Sequence, residues 1–119
     1  MRDHRKLKAF ELADQLVIAV YKATRAYPRE ELFGLTSQMR RSAVSVPANI
    51  VEGCARNSEN DFLRFLDIAL VSLRELGYYI DLSKRLDILV DANDRDLVDL
   101  CEESSRVLAG LIQSLRNRS

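Results

Sequence analysis

Apolar residues recur every three or four positions in four long blocks of this 119-residue chain, and only four Gly and two Pro interrupt them. Such spacing marks helices that each bury one stripe, and the shortage of breakers argues against a strand-and-turn fold. Leu12, Leu16, Ala19, Val20, Ala23 and Tyr27 form the stripe of a first helix over residues 8–27. Pro28 ends it, because the residue before a proline avoids helical geometry. A short connection, PREELFG, leads to a second helix from Leu35 to Arg56. Ser58 then caps a third helix that runs to Leu86, with Asp61 in capping-box position. Its stripe is Phe62, Phe65, Leu66, Ala69, Leu73, Leu76 and Ile80. The segment DILVDAND breaks the pattern, and Asn93 or Asp91 caps a fourth helix whose stripe is Leu97, Leu100, Cys101, Ser104, Leu108, Leu111 and Leu115. Long helices with short connections predict an all-α, antiparallel, up-down-up-down four-helix bundle. Residues 1–119 make one domain, with residues 1–7 as a mobile or loosely docked arm.

The second helix departs from the simple pattern. On a helical wheel, Gln38, Arg41, Ser45, Asn49, Glu52 and Arg56 fall in one narrow polar line. Leu35, Met39, Ala43, Val46, Ile50, Gly53 and Cys54 fill a broad apolar face beside it. Val44, Ala48, Val51 and Ala55 fall on a third face. A peripheral helix of a monomeric bundle needs one apolar face, so the third face reads as a subunit interface. The competing reading is a wide core-facing arc in a snug monomer. Pro47 lies opposite the polar line, where it removes a donor and crowds the carbonyl of Ala43. It reads as a gentle kink, and the alternative is a break near Ser45. Glu52 and Arg56 have the spacing of an intrahelical ion pair, with Asn49 bonding to a neighbouring helix. The functional alternative is a polar site built on Gln38, Ser45, Asn49 and Glu52, with Arg40, Arg41 and Arg56 as candidate contacts to nucleic-acid phosphates.

Catalysis finds little support. The one histidine, His4, is in the arm, and there is no phosphate-binding glycine loop, HExxH or spaced Cys/His set. No metal or cofactor is expected. Cys54 and Cys101 read as small buried hydrophobes. No signal peptide or apolar run of spanning length appears, so a cytoplasmic location and no membrane contact are expected. Basic and acidic residues balance at 18 each. They divide unevenly: residues 1–57 carry ten basic and six acidic side chains, residues 58–119 eight and twelve.

The stretch ELFGLTSQMRRSAVSVPANIVEGCARNSENDFLRFLDIALVSLREL resembles the four-helix-bundle proteins encoded by intervening sequences of large-subunit ribosomal RNA genes. These are similar to the accessory variability determinant of diversity-generating retroelements. Gln38, Arg40, Arg41, Ser45, Pro47, Asn49, Glu52, Gly53 and Arg56 match the shared pattern, whereas Gly77 stands where a polar or acidic residue is usual. The resemblance implies a ring-like homopentamer. From the retroelement relatives it implies RNA or DNA and a reverse transcriptase as partners. A non-enzymatic homo-oligomeric scaffold with a nucleic-acid-associated accessory role is therefore expected. The alternative is a purely protein-binding or self-assembling module.

Overall fold

The computed structural model describes residues 2–89 and 91–118, with backbone alone for 91–95. Four α-helices follow one another: α1 (Lys8–Thr24), α2 (Leu35–Cys54), α3 (Glu59–Arg85) and α4 (Asp91–Asn117). Short 3-10 turns at His4–Lys6 and Arg29–Glu31 precede α1 and α2. Each helix packs on the next and α4 closes back on α1, which gives the expected up-down bundle with no strand among the described residues. A 27-residue helix is about 40 Å long, in keeping with the 45 Å long axis of the molecule. The expected caps Asn93 and Asp91 lie outside the described side chains.

The stripes read from the sequence meet in one core. Leu16, Val20, Met39, Val46, Ile50, Phe62, Leu66, Leu73, Leu76, Leu97 and Leu108 are all fully buried there. Ala19, Phe65, Leu100 and Leu111 are only partly buried, and Ile112 joins the core in addition. Cys54 and Cys101 are free thiols within it. Burial raises both thiol pKa values, that of Cys101 to about 11.

The helix ends depart from expectation by two or three residues. The first helix stops at Thr24, where Tyr27 N–H bonds to Thr24 C=O (3.1 Å), an i→i−3 bond of a tightened last turn. The second stops at Cys54 for the same reason, with Arg56 N–H on Gly53 C=O (3.1 Å). Ser58 does cap α3, its hydroxyl accepting from Asp61 N–H at 3.0 Å. At the other end of α3, Asp87 adopts φ 57°, Ile88 N–H bonds to Ser83 C=O (2.9 Å) and Asp87 N–H to Lys84 C=O (3.0 Å). That is a Schellman motif, with aspartate in the left-handed position that glycine usually takes.

The break expected as an alternative near Ser45 is absent: α2 runs uninterrupted through Pro47. The N-terminal residues, expected as a mobile or loosely docked arm, meet the α2–α3 turn through Arg2. Arg2 N–H donates to Cys54 C=O (3.0 Å), its guanidinium pairs with Glu59 (3.2 Å), and it lies 4.0 Å from the Phe62 ring centre. A carbonyl without a partner at the end of α2, and a cation over an aromatic face, account for that seat.

Candidate functional site

The outer surface of α2 gathers most residues singled out from the sequence. Its apolar face packs inward as expected. Gly53 lies close against α3, where a Cβ would meet Phe65 Cβ at 3.0 Å and the Phe62 carbonyl oxygen at 3.3 Å. The third face is only partly covered within the chain. Val44 is 42% and Val51 37% exposed, and Ala48 and Ala55 are exposed as well. These four residues are thus more open than the core face of Leu35, Met39, Ala43, Val46 and Ile50.

The polar line is a set of local bonds. Glu52 accepts from Arg56 at 2.6 Å, the expected i,i+4 pair. Both groups are well exposed, and such pairs contribute only about 0.3–0.5 kcal/mol. The Phe65 ring, 4.9 Å away, gives Arg56 a second hold. Asn49 does not reach the neighbouring helix. Its amide donates to Ser45 C=O (2.8 Å) and approaches Ser45 Oγ (3.0 Å), one turn back on α2 itself. The link across to α3 is Ser45, whose hydroxyl lies 2.8 Å from that of Ser72. Gln38 is exposed at the N-terminal end of the line.

The three candidate arginines do not form one patch within the chain. About 24 Å of helix rise separates Arg40 from Arg56. Arg40 turns toward α1: its Nε donates to Thr24 Oγ1 (2.9 Å), and its guanidinium lies 4.6 Å from the Tyr21 ring centre. Arg41 is exposed.

Sequence periodicity missed a second feature. Tyr21, Leu32, Phe33, Arg40, Arg41 and Val44 line a shallow open groove at the N-terminal end of α2. Phe33 is 92% exposed. It sits in a connection where no helical spacing applies, and the only signal was the apolar pair Leu32–Phe33 before Gly34. A cavity of about 280 Å³ opens between α3 and α4, lined by Gly77, Ile80, Asp81, Lys84, Val98, Cys101 and Glu102. Among the described residues, no three or more His, Cys, Asp or Glu side chains are grouped to hold a metal ion. No helix among them is long and apolar enough to cross a membrane.

The arrangement is that of a small helical bundle with a partly uncovered face. The family model described as 23S rRNA-intervening sequence protein matches residues 5–110. The chain belongs to that family. A solved structure of a protein of unknown function from the S23 ribosomal protein family of Bacteroides thetaiotaomicron is also similar. It superposes with a TM-score of 0.80 at 23% identity, over 88% of this chain and 95% of that one. At this identity the likeness carries the fold alone. No curated protein matches the chain. Neither likeness bears on the retroelement proteins, so that part of the resemblance rests on the sequence motif.

Proposed function

We infer that this protein is a self-assembling helical scaffold whose subunits join through the third face of α2. The observation that carries the reading is the exposure of Val44, Ala48, Val51 and Ala55 on a helix whose other apolar face is already in the core. Fully burying a valine side chain is worth about 1.5–3 kcal/mol, and the two fifths of Val44 and Val51 still open would add about 1 kcal/mol apiece on a partner surface. Small residues between them allow a close approach. A nucleic-acid role draws less support, because Arg40 and Arg56 already contact Thr24, Tyr21, Glu52 and Phe65 within the chain.

Light scattering after size exclusion tests the reading at micromolar concentration. The expected particle is several times the 13.6 kDa chain mass, five times if the family resemblance extends to the ring. Val44→Glu and Val51→Glu are each expected to dissociate it with helicity retained, since the carboxylate is left unpaired on a desolvated surface. A monomeric native chain, or Val44→Glu and Val51→Glu variants that both stay assembled, refutes the interface. Salt-sensitive RNA binding that is lost when Arg40, Arg41 and Arg56 are replaced by alanine would restore the nucleic-acid reading.

A further inference from the structure

The turn between α1 and α2 displays an aromatic side chain on a fixed backbone. Leu32 N–H bonds to Arg29 C=O (3.1 Å) and Gly34 N–H to Glu31 C=O (3.0 Å). The Glu31 carboxylate accepts from Leu35 N–H at 3.0 Å. A Cβ at Gly34 would stand 2.9 Å from Glu31 Oε1, so glycine leaves room for that cap. Phe33, held between these bonds, is almost wholly exposed, and Tyr21, Leu32 and Val44 around it are each 39–49% exposed. Together they make an apolar rim rather than one scattered residue.

The groove beside Phe33 has one sign of charge. Arg40 and Arg41 line it, and no carboxylate is among its described lining residues. Its surroundings share that sign. Residues 22–41 hold Lys22, Arg25, Arg29, Arg40 and Arg41 against Glu30 and Glu31, and Glu31 is engaged by the helix end. Arg40 is fixed against Thr24 and the Tyr21 ring and serves as a wall. Arg41 is exposed and in no hydrogen bond or ion pair among the described residues. Ser37, also in the lining, lies one turn before it on the same side of α2.

We propose that this groove is a docking site for an acidic peptide segment of another protein, one with an apolar side chain between carboxylates. The apolar side chain packs on Phe33 and Leu32, a carboxylate meets Arg41, and the Ser37 hydroxyl donates to the peptide. An anchor already held in place costs little ordering on binding, and a bond between guanidinium and carboxylate is stronger than a neutral one. A nucleic acid suits the groove less. Its affinity is summed over many phosphates, and Arg41 alone among the described lining offers a guanidinium that is not already engaged. A phosphate backbone would also leave Leu32 and Val44 uncovered. The proposal does not rest on self-assembly. Val44 is common to the groove and to the α2 face, so the groove opens at the edge of that face.

The test selects displayed random peptides against the full native chain and titrates the enriched sequences by fluorescence anisotropy. Aspartate or glutamate beside an aromatic or aliphatic residue is expected to be enriched. Phe33→Ala and Arg41→Glu are each expected to weaken binding by about tenfold or more, and added salt to weaken it further. Both positions are exposed, and circular dichroism checks that helicity is native. Light scattering of both variants is expected to match the native particle. No enrichment, enriched sequences that are basic or uncharged, or equal affinity for the native chain and either variant overturns the acidic-peptide site. Single-stranded RNA that displaces the peptide at a concentration below the peptide's own Kd overturns it in favour of nucleic acid. A variant that changes the particle size overturns it in favour of a subunit contact.

Discussion

Replacing Gly53 by alanine tests a close contact between α2 and α3. In an ordinary helix interior the change adds about 1 kcal/mol of stability through backbone propensity. At Gly53 the new methyl would lie 3.0 Å from Phe65 Cβ, 3.2 Å from Phe62 Cδ1 and 3.3 Å from the Phe62 carbonyl oxygen. Two of those three atoms belong to or adjoin the backbone of α3 and cannot swing away as a side-chain tip can. Overpacking of this kind costs about 1–3 kcal/mol. The clash therefore outweighs or cancels the propensity gain, and the expected net change is a loss of up to about 2 kcal/mol. For a domain of this size each kcal/mol moves Tm by about 3–5 °C. Gly110→Ala is the control, since nothing lies within 4 Å of its added Cβ. It is expected to raise Tm by about 3–5 °C. Thermal unfolding followed at 222 nm, at one fixed chain concentration, reads both. A Gly53→Ala variant stabilised as much as Gly110→Ala would mean that α2 and α3 are not held this close, and the packing argument would fail.

Three other outcomes follow from the structure. Ser104 is 1% exposed and its hydroxyl has no partner among the described residues, so Ser104→Ala is expected to stabilise by about 1 kcal/mol or more in denaturant titration. Pro47→Ala gives Ala43 C=O back a donor and is expected to hold or raise Tm. A marked fall with assembly unchanged would show that the proline serves the core of each subunit. The Cys101 thiol, raised to about 11 by burial first and Glu102 second, keeps its proton in the fold at a pH where an unfolded thiol has lost it. Its contribution is whole below pH 9 and is lost as pH rises toward 11. Stability should fall across that window by more in the native chain than in Cys101→Ala, and equal slopes would refute this.

What the sequence revealed follows the range of the interactions. The α3 cap was readable because Ser58 and Asp61 are three residues apart and their bond needs no other element. The core stripes were readable because burial repeats with the helix. Asn49 was misassigned for a related reason: a wheel gives the direction of a side chain but not whether it turns back to bond Ser45 on its own helix. Arg40 looked available because its partners Thr24 and Tyr21 are on α1, and nothing local links them. Helix ends shifted where closing turns tightened to i→i−3 bonds, a choice between nearly equal geometries. Phe33 and the Gly77 cavity were invisible to periodicity, since one is in a connection and the other is a space between two helices.

The Ser45–Ser72 contact bears on how α2 can slide. Apolar side chains tolerate a translation of one helical turn, because leucine, valine and alanine exchange places against a similar neighbour at modest cost. A hydroxyl pair 2.8 Å apart does not, since its energy depends on direction and falls steeply with distance. Displaced by a turn, α2 would lose the Ser72 partner and carry Gly53 away from the Phe62–Phe65 ridge, so that a side chain larger than hydrogen met the ridge instead. The two marks lie about two turns apart on one helix and exclude the slide in either sense. One bond and one absent methyl thus give the hairpin a single setting along its length, like a key cut at two depths.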